Sequence, residues 1–175
     1  MTIKKIVFGG GCFWCTEAIF NMLKGIINTV PGYSGGNKPN PSYEEVCTDT
    51  TGHVEVLMVE YDDILMPLNI LLEVFFEMHD PTSMDKQGAD VGTQYRSVIF
   101  YYDDNQKQEI EVFITKKQRL FDRKIVTEVK KINEFYPAEE YHMKYYSKNK
   151  GQPYCSYVIT PKVEKIKKDF KKFIK

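Results

Sequence analysis

The chain opens on a short apolar run, Ile6-Val7-Phe8, that stops at three glycines, Gly9 to Gly11. Past Cys15 the period changes. Ala18, Ile19, Met22 and Leu23 fall three or four apart, the spacing of one helical face. A strand over 3–8, a tight turn and a helix over 15–24 ended by Gly25 follow from that pattern. Ile26 to Val30 is a second apolar run. It enters Pro31 to Gly36, whose Gly and Pro content predicts a loop that continues to Ser42. Tyr43 to Val46 predicts a helical turn, Thr50-Thr51-Gly52 a turn, and His53 to Tyr61, with Val54, Leu57, Val59 and Tyr61, a strand. Ile70, Leu71, Val74, Phe75 and Met78 share one face of a helix over 67–78, with Pro67 in its first turn. Residues 82–94 are polar and Gly-containing and predict a loop. Tyr95 to Tyr102 predicts a strand, Asp103-Asp104 the cap of a helix over 105–119, and Lys124 to Val129 another strand. Tyr154 to Thr160, which holds Cys155, is strand-like. A basic amphipathic helix at about 161–173 closes the chain, with Val163, Ile166, Phe170 and Ile174 on one stripe packed against the domain. Strands and helices alternate loosely, which predicts an α/β or α+β fold. No repeat, low-complexity stretch or linker interrupts residues 1–175, so one domain is expected.

Composition narrows the class. A hydrophobic share of 42% and a charged share of 27% are those of a globular protein with a sizeable core. Net charge is zero, so nothing global points to nucleic acid. The charge is split, with 6 Lys+Arg against 13 Asp+Glu in residues 1–100 and 18 against 11 in residues 101–175. That split reads as solvated surface. No run approaches the roughly 18 apolar residues of a membrane span, and the stretch after Met1 is too short for a signal peptide. The expectation is a cytoplasmic, reducing setting. There, four cysteines are catalytic, metal-binding or free rather than a disulfide framework.

The chemistry gathers at Gly9-Gly10-Gly11-Cys12-Phe13-Trp14-Cys15. The glycines allow close approach of a ligand, and a thiol near a helix N-terminus meets unpaired N–H groups that favour the thiolate. Phe13 and Trp14 offer an apolar slot beside it. The Cys12-x-x-Cys15 spacing allows half a zinc site, a thioredoxin-like dithiol, or an attacking thiol with a resolving partner. There is no second CxxC, and the three histidines form no ligand pair, which argues against zinc. His53, His79 and His142 read as structural hydrogen-bonding residues, with a Cys–His pair through His142 or His53 left open. Glu55 lies in an apolar strand. It either faces solvent or is buried, and burial would raise its pKa and make it a proton donor.

A series of motifs in order carries a resemblance. Gly10-Gly11-Cys12-Phe13-Trp14 is followed by Gly32-Tyr33-Ser34-Gly35-Gly36, then by Asn40-Pro41-Ser42-Tyr43-Glu44-Glu45-Val46-Cys47 and Thr51-Gly52-His53-Val54-Glu55. His79-Asp80-Pro81, Gln87 to Ser97 and Ala138-Glu139-x-Tyr141-His142 complete it. From about residue 5 to 160 the chain resembles the peptide methionine-S-sulfoxide reductases. Cys15 stands where that family often has Gly, and Ala89 where Asn is frequent. The resemblance implies a compact α+β domain with a mixed sheet flanked by helices, a ferredoxin-like core. It implies that Cys12 attacks the sulfoxide sulfur and that Glu55 protonates the oxygen. Tyr43 and Tyr95 would hydrogen-bond that oxygen, Asp90 would position the network, and Phe13 and Trp14 would hold the methyl group. It implies a sulfenic acid on Cys12, resolved to a disulfide by Cys155 or Cys15, with Cys47 structural or free. Thioredoxin would reduce the disulfide (dithiothreitol in vitro). It implies no bound cofactor or metal, a role in protein repair under oxidative stress, and a monomer. A thioredoxin-like dithiol oxidoreductase and a non-catalytic binder that uses the two oppositely charged halves are the competing readings.

Overall fold

The apolar runs Ile6-Val7-Phe8, Val54 to Val59 and Val98 to Tyr101 become neighbouring strands that are covered on both faces. A computed structural model describes residues 2–175. In chain order the elements are β1 (Ile3–Gly9), α1 (Phe13–Phe20), β2 (Ile26–Ser34), α2 (Tyr43–Cys47), β3 (Val54–Asp62), α3 (Leu68–Met78), the two-residue strands β4 (Lys86–Gln87) and β5 (Asp90–Val91), β6 (Val98–Tyr101), α4 (Asp104–Gln118), β7 (Glu128–Lys131), β8 (Phe135–Pro137), α5 (Tyr145–Lys148) and α6 (Thr160–Asp169). One sheet runs β7-β6-β1-β3-β2-β8, and β4 pairs with β5 in a small hairpin. Only the β6–β7 pair is parallel. Taken alone, β1-α1-β2-β3-α3-β6 with strand order β6-β1-β3-β2 is the split βαβ, ferredoxin-like arrangement, so the expected α+β class and mixed sheet hold.

Side chains alternate across each strand. Ile6, Phe8, Leu57, Val59 and Tyr61 point into the main core with Ile19, Phe75 and Ile166 from the helices, whereas Val7, Val54, Val56, Val98 and Phe100 form a smaller cluster on the other face. Phe8 joins the layers: its ring lies 5.0 Å from Phe20 of α1 and 4.7 Å from Phe75 of α3. Truncating a buried ring of this kind to alanine costs about 3–5 kcal/mol. Glu55 is odd-numbered like Leu57 and Val59, so the same alternation aims it inward, under α1.

Several expectations need correction. The predicted loop after Val30 is strand through Ser34, because β2 keeps its pairing with β3 past Pro31 and Gly32. Gly32 permits it: a Cβ there would meet the Phe135 ring and the Tyr136 carbonyl at 2.5 Å, where β8 crosses. The strand expected over 95–102 is only Val98–Tyr101, with Thr93–Tyr95 in a 3-10 turn, and the strand expected over 124–129 is Glu128–Lys131. The strand-like run at 154–160 is helical. Cys155–Ile159 forms a π-helical turn that leads into α6. Cys155, Ile159, Val163 and Ile166 fall four, four and three apart and are all buried, so helical burial overrides the β-branched composition. The C-terminal helix ends at Asp169, short of the expected 173. A 3-10 turn, Lys171–Phe173, then brings Ile174 into a bridge with Leu23.

Candidate active site

β1 delivers the chain to the start of α1 through the glycines. A Cβ on Gly10 would lie 2.8 Å from the Phe75 ring, and Gly11 has φ +96°, a backbone that glycine adopts without penalty. Cys12 is therefore the N-cap of α1, with its carbonyl accepting from the Cys15 N–H at 3.1 Å. Its side chain makes no capping hydrogen bond. The pull of the helix N-terminus toward a thiolate is opposed here. Burial pushes the Cys12 thiol well above its ordinary value, and the nearby Glu55 carboxylate adds to this, while the Trp14 N–H acts the other way. A helix N-terminus favours an anion only where the anion is not also stripped of water.

Glu55 is 1% exposed. Its Oε1 accepts from the Phe13 N–H at 3.3 Å, one of the unpaired donors of the first turn. Its Oε2 has no hydrogen-bond partner among the described residues. Burial lifts the carboxyl to about 8, the Phe13 N–H opposes this, and Asp90 adds to it. The group is a neutral acid at neutral pH, with one oxygen free in a site that also contains a half-buried thiol. An unpaired buried polar atom costs about 1–3 kcal/mol, so this one is kept against the interest of stability.

The other expected residues converge on the same place. Tyr43 starts α2, which is closed by a full capping box between Ser42 and Glu45. Glu139 ties that helix to the sheet. Its carboxylate accepts from the Tyr43 N–H at 2.8 Å and from the Tyr33 hydroxyl at 2.9 Å. Burial raises the Tyr43 and Tyr95 phenols, and Glu55 is the next cause for both, so both stay protonated donors. Asp90 sits on the hairpin that replaces the expected 82–94 loop. Gln87 anchors it, accepting from the Asp80 N–H at 2.9 Å and donating to the Asp80 carbonyl at 2.8 Å. Arg96 holds the neighbouring turn through Glu128, the Thr93 carbonyl and the Gly52 carbonyl. Phe13 is buried against Tyr33, and Trp14 is half-buried.

The histidines are structural in their contacts. His53 accepts from the Gly36 N–H and bonds the Lys38 carbonyl. His79 lies between the Phe75 carbonyl and the Ser97 hydroxyl, and burial lowers it to about 4. His142 accepts from the Trp14 indole N–H at 2.9 Å, which puts its own proton on Nε2, buried with no partner among the described residues. No histidine is placed as a base for Cys12. Among the described residues no His, Cys, Asp or Glu side chains are grouped to hold a metal ion, and no helix is long and apolar enough to cross a membrane.

Four thiols are free. Cys15 is buried one turn along α1, and burial lifts its thiol to about 11. Cys155 is wholly buried in the π-helical turn. Cys47 is exposed and lies beside the Tyr43 hydroxyl.

Two residues of this site escaped the sequence reading. Tyr154 donates to Asp90 Oδ2 at 2.6 Å, reaches the Cys12 sulfur, and meets Trp14 edge-on at 6.0 Å. Tyr145 stacks on Trp14 with centroids 3.7 Å apart and planes 8° from parallel. Nothing in the sequence gave these two tyrosines their shared partner, Trp14, more than 130 residues upstream.

A thiol, a neutral carboxylic acid, phenol donors and an aromatic wall can together take the oxygen from a sulfoxide and so reduce its sulfur. The family model of the peptide methionine sulfoxide reductases matches residues 4–174. A relative from Saccharolobus solfataricus, described as peptide methionine sulfoxide reductase MsrA, is 51% identical over 168 residues, 96% of this chain and 95% of its own. The reduced form of Mxr1 from Saccharomyces cerevisiae aligns with a TM-score of 0.82 at 37% identity, over 87% of this chain and 89% of that one. The same yeast protein in complex with Trx2 aligns with a TM-score of 0.60 at 27% identity, over 81% and 84%. The motif series, the site and these likenesses agree, and the chain belongs to the peptide methionine sulfoxide reductase family.

Proposed function

We propose that this chain reduces methionine-S-sulfoxide, free or within proteins, and that Cys12 is the nucleophile. The observation that carries the reading is Glu55: a buried carboxyl, neutral at neutral pH, with one oxygen unpartnered, in electrostatic reach of the Cys12 sulfur. Attack of a thiol on a sulfoxide stalls unless the oxygen is protonated, because oxide is a poor leaving group. Glu55 gives its proton to that oxygen as the Cys12 sulfur bonds to the substrate sulfur. The Tyr43 and Tyr95 hydroxyls donate to the same oxygen, Asp90 orients the network through Tyr154, and Phe13 and Trp14 hold the methyl group. The hydroxyl passes to Cys12 as the sulfur–sulfur bond breaks, and the Cys12 proton restores Glu55. The sum is one thiol and one sulfoxide giving one sulfenic acid and one thioether.

A second thiol then displaces water from the sulfenic acid. Cys15 is the nearer candidate. Its N–H is bonded to the Cys12 carbonyl, and its thiol bears on that of Cys12. Residues three apart on a helix have Cβ atoms about 5–6 Å apart, so a modest shift of the first turn brings the sulfurs together. Cys155 would need the π-helical turn to open and the Tyr154–Asp90 bond to break. Cys15 is therefore the proposed resolving thiol and Cys155 the alternative. Thioredoxin is the proposed reductant of the disulfide, supported by the yeast Mxr1–Trx2 complex. A monomer acting in the cytoplasm completes the reading.

The test is turnover of peptides with methionine sulfoxide of defined S or R configuration, driven by dithiothreitol and then by thioredoxin. Turnover of S alone, abolished in Cys12→Ser, is expected. Cys15→Ser is expected to keep dithiothreitol turnover and lose thioredoxin turnover. The same pattern in Cys155→Ser would move the resolving role there. Turnover that survives Cys12→Ser would end the proposal.

A further inference from the structure

The mechanism makes no use of one buried acid, Glu17. It lies on α1 three residues after Trp14, so the two side chains share one stripe of that helix. It is 3% exposed. Its carboxylate is not free: Oε1 accepts from the Lys144 N–H at 2.6 Å, and the Tyr145 N–H faces the same group. These are the first donors of α5, where a helix start needs acceptors and its own cap residue, Lys144, supplies none. Lys144 has φ +54° and ψ +34°, a left-handed backbone that a residue with a side chain adopts at a cost and holds only under outside constraint. The N–H of that residue is the one that donates to Glu17. The next residue along is Tyr145, whose ring lies flat on Trp14.

We propose that Glu17 is a positioning residue: by gripping the main chain at Lys144 and Tyr145 it sets the Tyr145 ring on Trp14 and thereby fixes the aromatic wall of the sulfoxide pocket. The proposal rests on the functional reading above for its consequence in catalysis, and on geometry alone for the linkage. Burial pushes the carboxyl of Glu17 up to about 7, while the Lys144 N–H opposes this, as expected of an acceptor held against main-chain donors. α1 and α5 are joined at this point and Cys12 lies at the head of α1, so a loosened α5 is felt at the wall and not at the thiol.

The chain has a single tryptophan, so its fluorescence reports the wall directly. Emission spectra and steady-state kinetics on a methionine-S-sulfoxide peptide with dithiothreitol are to be taken for wild type, Glu17→Ala, Glu17→Gln, Tyr145→Ala and the Glu17→Ala/Tyr145→Ala double variant. Glu17→Ala is expected to shift Trp14 emission to the red and to raise KM about 10-fold, with kcat within about 2-fold. Glu17→Gln keeps one acceptor oxygen for the Lys144 N–H and is expected to recover most of the loss. Tyr145→Ala is expected to match Glu17→Ala, and the double variant to be no worse than either, since both cut one linkage. A Glu17→Ala protein that melts earlier with emission and KM unchanged has lost only a strut, and the proposal is overturned. Effects that add in the double variant overturn it too. If Glu17→Ala does not fold, Glu17→Gln and Tyr145→Ala carry the test: matching emission shifts support the linkage and unmatched ones refute it. Should the wild type reduce no sulfoxide, the functional reading falls by itself. A Glu17→Ala spectrum that still shifts then upholds the linkage, and one that does not overturns it.

Discussion

Glu55 is buried under the first turn of α1 and Glu17 in the middle of that helix, and burial raises both carboxyls, to about 8 and about 7. Their partners differ. Glu17 is met by main-chain N–H groups of the segment that α1 packs against, and both contacts favour its charged form. Glu55 is met by one N–H at 3.3 Å, and its second oxygen has no partner among the described residues. One acid holds structure together, and the other is kept unpaired beside a thiol. A raised pKa alone would not have separated them; the buried, unpartnered Oε2 of Glu55 does.

The largest effect expected from that contrast is on the reaction itself. Glu55→Gln keeps the size and the Phe13 contact but has no proton to give, and its kcat is expected to fall by about 10²–10⁴, the range of a lost general acid. Initial rates with the S-sulfoxide peptide measure it. Glu17→Gln should lose far less, because a glutamine oxygen still accepts a hydrogen bond. Equal losses in the two glutamine variants would erase the contrast.

The second effect is on stability, and it has the opposite sign. The Glu55 carboxyl titrates at about 8 in the fold against an ordinary 4.5, so the folded state keeps a proton that the unfolded state releases between those values. Stability therefore drops as pH rises through that window, by at most roughly 1.4 kcal/mol per unit for one group. Glu55→Gln does not ionise. Its melting temperature is expected to equal that of wild type near 4.5 and to exceed it increasingly toward about 8. Thermal melts at several pH values read this. A variant less stable than wild type at the upper end would mean that the carboxylate is satisfied after all.

The smallest effect concerns Tyr154. Its hydroxyl donates to Asp90 and reaches the Cys12 sulfur, but it is not one of the proposed donors to the sulfoxide oxygen. Tyr154→Phe is expected to lower kcat about 3- to 10-fold, the worth of one ordinary hydrogen bond. A loss as large as that of Glu55→Gln would place Tyr154 among the proton donors.

What the sequence could tell about this site follows the range of the interactions. Cys12 and the strand–turn–helix around it are local, so Gly9-Gly10-Gly11-Cys12-Phe13-Trp14 was enough to expect them. The burial of Glu55 hung on the parity of one strand. Leu57, Val59 and Tyr61 decide it once β3 is known to be covered, and the alternation alone did not say which face was covered. Glu17 looked like any polar residue of an amphipathic helix, because its partner at Lys144 is 127 residues away. Tyr154 bonds across 64 residues and was hidden inside a run misread as strand. That misreading is instructive. Tyr157, Val158 and Ile159 favour a strand, but the spacing of Cys155, Ile159, Val163 and Ile166 carries the period of α6 back through them. The balance of effects on the Cys12 thiol was also out of reach of the sequence. A helix N-terminus is legible in sequence, and the desolvation that outweighs it is not.

The central claim is that Glu55 holds its proton at neutral pH and delivers it to the sulfoxide oxygen. Its most direct test is the single-turnover rate of methionine formation by reduced enzyme, followed across pH from below to above about 8 in wild type and Glu55→Gln. The account predicts a wild-type rate that is level on the acid side and falls about tenfold per unit above that value, with a slow and nearly flat rate in the variant. A wild-type rate that climbs through the same range, or a variant that keeps the wild-type rate, would contradict it.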